Sequence, residues 1–101
     1  MHMTIEQFLV AIHGTEESAL MLAKDTTEQA VFVETLKEKN ILYRAIDAGG
    51  SFSETYETLC EPILARHPQT PPVYIITKEV LRETATAGFD ILSRVGLVYQ
   101  S

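Results

Sequence analysis

The chain has 101 residues, one domain's worth, and its 46% hydrophobic and 22% charged residues give the composition of a globular domain rather than a disordered one. Fourteen acids against eight scattered bases leave a formal net charge of −6, so binding to a nucleic-acid backbone or an anionic membrane surface is not expected, whereas a protein partner is compatible with it. No apolar run approaches the ~20 residues that span a bilayer. The opening Met1-His2-Met3 lacks the basic-then-apolar pattern of a secretory signal. The only cysteine, Cys60, cannot form an internal disulfide, and a cytoplasmic location is expected.

Thr4-Ile5-Glu6-Gln7 has the form of a capping box, and Phe8, Leu9 and Ile12 follow at helical spacing up to Gly14. A short helix over residues 5–13 is predicted, with a buried strand as the competing reading of Phe8 to Ile12. Ala19 to Ala23 is apolar at every position, the pattern of a strand buried on both faces. Asp25-Thr26-Thr27 then offers cap residues, with Gln29 three after Thr26. Glu28 to Lys39, free of Gly and Pro, reads as a helix ended by a left-handed Asn40. Ile41 to Ile46 reads as a second strand, closed by Asp47 and Gly49-Gly50. Ser51 and Glu54 form another capping box, and Phe52, Tyr56, Leu59, Cys60, Ile63 and Leu64 make a helical stripe interrupted by Pro62. Val73 to Ile76 is a third strand after Pro71-Pro72. Residues 80–85 fit either a helix or an edge strand, Gly88 breaks both, and Asp90 is placed as the cap of a last helix ending before Gly96. This alternation predicts an α/β domain, a sheet with helices on its faces, the first two strands being parallel.

Four segments, in order, resemble the glutaredoxin family. They are Ala19-Leu20-Met21-Leu22-Ala23-Lys24-Asp25-Thr26-Thr27-Glu28-Gln29-Ala30, then Leu36 through Asp47, then Thr70-Pro71-Pro72-Val73-Tyr74-Ile75, and Gly88-Phe89-Asp90. In that family an apolar strand ends in lysine, a Cys-Pro-Tyr-Cys motif opens the helix, a cis-proline precedes a later strand, and a Gly-Gly-x-Asp segment holds a glutathione carboxylate. The resemblance covers roughly residues 19–97. It implies a thioredoxin-like, glutaredoxin-type mixed sheet flanked by helices over residues 19–101, with residues 1–18 as an extra N-terminal helix. It also implies a ligand groove of Lys24, Thr27, Thr70, Pro72, Val73, Gly88, Phe89 and Asp90, converging near the start of the first long helix. Glutathione, a related peptide or a protein segment would dock there.

The departures decide the chemistry. Thr27 stands where the nucleophilic cysteine would be and Ala30 where the resolving one would be. Ala87 replaces the first glycine of the last segment, and the stretch from Pro72 to Gly88 is several residues longer than in the family. Disulfide exchange needs a thiolate, and the hydroxyl of Thr27 does not ionise near neutrality. Thr27 is read as a helix cap and Cys60 as a buried, inert thiol. His2, His13 and His67 lack metal-ligand spacing, and Gly49-Gly50 lacks the lysine of a phosphate loop. No metal and no resident cofactor are expected. The leading expectation is a redox-inactive glutaredoxin-like domain that acts by binding a protein or a second copy of itself. The alternative is an enzyme that uses the thiol of bound glutathione, with Lys24 and Thr27 positioning it. A third reading is a small interaction protein of a phage or other mobile element.

Overall fold

The computed structural model describes residues 3–14, 17–46 and 72–100. Among them the chain forms α1 (Ile5–Ala11), continued by a 3-10 turn at Ile12–Gly14, then β1 (Ala19–Ala23), α2 (Thr26–Glu38) and β2 (Tyr43–Ile46). After residue 72 follow β3 (Val73–Thr77), α3 (Lys78–Thr86), a 3-10 turn at Ile91–Ser93, and β4 (Leu97–Gln100). The predicted helix with Cys60, the glycine pair and Thr70 lie outside the described residues. No described helix is long and apolar enough to cross a membrane.

The strands form one sheet in the order β2-β3-β1-β4. The α/β class is therefore as the alternation predicts, but among the described residues the sheet is parallel rather than the expected mixed one. Every described pairing is parallel: Ala19 lies opposite both Val73 and Leu97, and Tyr43 opposite Val73. The physical reason lies in the connections. α2 carries the chain from β1 past the place of β3 to β2, and α3 carries it from β3 past β1 to β4. Each crossover returns the chain to the same end of the sheet, which makes the strands parallel.

The two crossovers run in opposite directions across the sheet, so for both to be right-handed their helices must lie on opposite faces. The packing has that arrangement. Ala19, Met21, Ala23, Val73 and Ile75 meet Phe32 and Leu36 of α2 on one face. Leu20, Leu22, Ile46, Tyr74 and Ile76 meet Val80 of α3 and Ile91 on the other. All five residues of β1 and all five of β3 are buried, as two central parallel strands require.

Residues 1–18 were expected as an N-terminal extension with a short helix. The helix is α1, and it shares the core of the α2 face through Phe8, Leu9 and Ile12. Tyr99 of β4 stands between the two helices, its ring 5.8 Å from Phe8 and 5.6 Å from Phe32. The second contact is edge-to-face, a favoured aromatic geometry. The predicted capping box is formed: Gln7 N–H donates to Thr4 Oγ1, and Thr4 N–H donates to Gln7 Oε1. The helix-or-strand ambiguity at residues 80–85 resolves as helix, because Thr77 Oγ1 caps it by accepting from Val80 N–H. The expected last helix is only the 3-10 turn at Ile91–Ser93, and β4 after Gly96 was not anticipated.

Candidate binding cleft at the amino edge of the sheet

Parallel pairing gives the sheet two unlike ends, and the predicted site residues divide between them. Lys24 and Thr27 follow β1 at its carboxyl end, whereas Val73 lies opposite Ala19 at the amino end. Four residue steps, or ~13 Å of strand, separate those levels. α3 begins at the carboxyl end, right after Thr77, and carries the chain back toward the amino end, where β4 starts at Leu97 opposite Ala19. Gly88, Phe89 and Asp90 follow α3 on that return. The described residues of the expected groove are thus not all brought together: Lys24 and Thr27 are at one end, Pro72 and Val73 at the other, and Thr70 is outside the described residues.

Several of the described ones take part in local structure. The cap of α2 is Asp25, whose Oδ1 accepts from Glu28 N–H at 2.8 Å, and not Thr27, which sits exposed in the first turn. The helix therefore starts two residues earlier than a Thr27 cap would place it, with Glu28 at the third helical position, whose amide an N-cap side chain takes. Lys24 N–H donates to Glu28 Oε1. The side chains of the loop itself therefore occupy donors that an anionic ligand would need. Gly88, at φ 96°, ends α3: its N–H donates to Ala85 O and that of Phe89 to Thr84 O. This is the left-handed helix stop that glycine favours. Asp90 precedes the last 3-10 turn, but its carboxylate makes no cap bond there, and its backbone oxygen accepts from Ser93 Oγ. Arg94 lies 6.0 Å from the Phe89 ring. Pro72 O accepts from Ala19 N–H and so closes the amino end of the β1–β3 pair.

Gln29 was read as the partner of a Thr26 cap. It is instead 4% exposed, and its Nε2 donates to Ile46 O and Ile75 O, both at 3.0 Å. That amide ties α2 to the carboxyl ends of β2 and β3. Beside it a shallow groove of about 400 Å³ runs along α2 over Ala30, Val33, Glu34 and Ala45. Its acid is already engaged, since Glu34 pairs with Lys37 at 3.6 Å.

The amino edge is different. Glu6, Leu9, Val10 and His13 recur at helical spacing along one stripe of α1 and its 3-10 continuation. They form one wall of a cleft of about 440 Å³, and Lys39 and Ile41 form the other. A second hollow of about 250 Å³ shares His13 and Ile41 with it and continues over Ile12, Asn40, Leu42 and Pro72. The end of α2 shapes this wall. Asn40, at φ 55°, takes the left-handed conformation expected of it, and the N–H groups of Asn40 and Ile41 donate to Lys37 O and Leu36 O. The turn leaves Ile41 half-buried and sends Leu42 outward. Val10 on the cleft and Leu42 on the adjoining hollow are each 74% exposed, the largest values among the described large hydrophobic residues.

Of the predicted site residues that are described, Pro72 lines the second hollow and the others line neither. Sequence reasoning missed the rest of the lining, because Val10 and Leu42 were absorbed into predicted elements as ordinary apolar positions. The available signal was the off-phase position of Val10, beside the Phe8, Leu9, Ile12 face of its helix. Chemically the cleft offers apolar floor and rims with one acid, one imidazole and one amine. Among the described residues no group of acids, histidines and cysteines is arranged to hold a metal ion. Comparison with known proteins finds no matching family model, no matching curated protein and no matching solved structure.

Proposed function

We propose that the chain is a non-catalytic protein-interaction module and that the amino-edge cleft is its docking surface. The observation that supports this reading is the placement of Val10 and Leu42, both exposed, on two adjoining hollows that share His13 and Ile41. Apolar anchors around a concave, partly charged surface are how a folded domain captures a polypeptide segment. The glutaredoxin likeness contributes the expectation of binding without thiol chemistry, since Thr27 and Ala30 carry no thiol. It contributes no glutathione groove, because Lys24 and Val73 stand at opposite ends of β1 and β3.

The test is selection of peptides from a random display library on the immobilised protein. Selected peptides are expected to lose binding with Val10→Glu or Leu42→Glu and to keep it with Lys24→Ala and Thr27→Val. Peptides that depend on Lys24 or Thr27 and ignore Val10 would overturn the assignment of the cleft. Reduced glutathione, titrated to millimolar concentration into isotope-labelled protein, is expected to leave the amide signals of Lys24, Thr27, Val73 and Gly88 to Asp90 in place. Saturable shifts at those residues would restore the glutathione-using alternative.

A further inference from the structure

Building on the docking role of the cleft, we infer that its occupant is a second copy of this chain, related to the first by a two-fold axis through the cleft. The argument starts from charge. Glu6 on the α1 wall and Lys39 on the opposite wall line the same cleft, yet neither forms an ion pair among the described residues. Both are exposed, so both charges are spent on water. A two-fold interface brings residue i of one copy to residue j of the other and j to i at once. Rotation about an axis that runs along the cleft, parallel to its walls, sets each wall against the opposite wall of the other copy. Glu6 of each copy then faces Lys39 of the other, and both pairs form together.

The apolar rims obey the same exchange. Val10 is on the α1 wall and Leu42 is on the wall formed by the turn after α2. The rotation sets Val10 of each copy toward Leu42 of the other, covering the two most exposed large hydrophobic residues described. A partner of uniform charge would satisfy one wall and oppose the other. A self-complementary surface with an acid on one wall and a base on the other is matched by itself. The charges set the orientation and the apolar rims supply the attraction, the usual division at interfaces. The net charge of −6 opposes self-association, so the dimer is expected to be weak and concentration-dependent.

Sedimentation velocity across a concentration series of the full chain tests this. The wild-type protein is expected to shift from monomer to dimer as concentration rises. Glu6→Lys and Lys39→Glu, each of which replaces two attractions by two repulsions, are each expected to weaken the dimer by roughly tenfold or more. The double variant, with the charges exchanged, is expected to recover most of that loss. Recovery separates a cross-cleft pair from damage to α1, because a helix weakened by Glu6→Lys stays weakened in the double variant. Circular dichroism checks that each variant remains folded. A dimer indifferent to both changes, or a double variant no better than the singles, would overturn the inference. A strictly monomeric wild type whose selected peptides still need Val10 and Leu42 would remove the second copy and leave the docking cleft. A monomer that yields no such peptides would remove both.

Discussion

The two ends of the sheet use their side chains in opposite ways. At the carboxyl end, polar groups are consumed by the fold: Asp25 and Thr77 cap helices, Glu28 takes the Lys24 amide, and Gln29 bridges two strands. At the amino end, apolar and charged side chains face outward around a cleft, with Val10 and Leu42 exposed. Open parallel sheets commonly bind ligands outside the carboxyl ends of their strands, where the crossovers diverge. Here β1 and β3 do diverge at that end. Yet one first-turn amide of each helix there is already bonded to the protein's own side chains, Glu28 N–H to Asp25 and Val80 N–H to Thr77, and the Lys24 amide is bonded to Glu28. A favourable topology offers less to an anion when such donors are internally satisfied.

The comparison is broken most strongly by detaching α1, which builds one wall of the cleft. Phe8 is fully buried, its ring against that of Tyr99 on β4. Phe8→Ala is expected to cost about 3–5 kcal/mol of stability, measured by urea unfolding, because it removes a ring from a packed core. A loss below about 1 kcal/mol, the ordinary scale of a surface change, would mean that α1 is an appendage and the cleft has only one wall.

The carboxyl end is tested at Gln29. Gln29→Leu keeps the volume but leaves two buried carbonyl oxygens without their donor, and is expected to cost about 2 kcal/mol. A neutral result by the same unfolding measurement would mean that water reaches those oxygens, and that this end is less sealed than the bonding describes. A smaller effect separates the two residues proposed for the start of α2. Asp25→Ala should cost about 1 kcal/mol through the lost cap. Thr27→Ala, within the helix and exposed, should stay within about 0.5 kcal/mol. Reversal of that order would return Thr27 to the capping role first assigned to it.

Local signals were legible wherever one segment carries its own explanation. The Thr4–Gln7 box, the buried run Ala19–Ala23, the left-handed Asn40 and the strand beginning at Val73 all follow from chemistry within a few residues. Strand direction does not, because it depends on where a crossover lands. The apolar pattern Val73 to Ile76 suits a parallel or an antiparallel neighbour equally. That one unreadable bit separated Lys24 from Val73 and dissolved the predicted groove. β4 escaped notice for another reason. Leu97, Val98 and Tyr99 are only half-buried at the sheet's edge, so they show no strong alternation, and Gly96 reads as a stop. The cleft was illegible because it joins residues 6–13, 39–42 and 72, which approach only after the sheet has formed.

The smallest stability effect carries the sharpest functional contrast. Leu42→Ser and Val10→Ser remove apolar groups that already stand largely in water. Little burial is lost, so each is expected to change stability by less than about 0.5 kcal/mol. Both are expected to abolish capture of the cleft's peptides, because an interface draws most of its energy from a few apolar anchors that become covered only on binding. Titration calorimetry against one selected peptide, alongside urea unfolding, reads both quantities on the same samples. Unchanged stability with lost binding places the two residues on a surface kept for a partner. Lost stability together with lost binding would instead place them in the support of the fold, and the amino edge would then be as self-satisfied as the carboxyl edge.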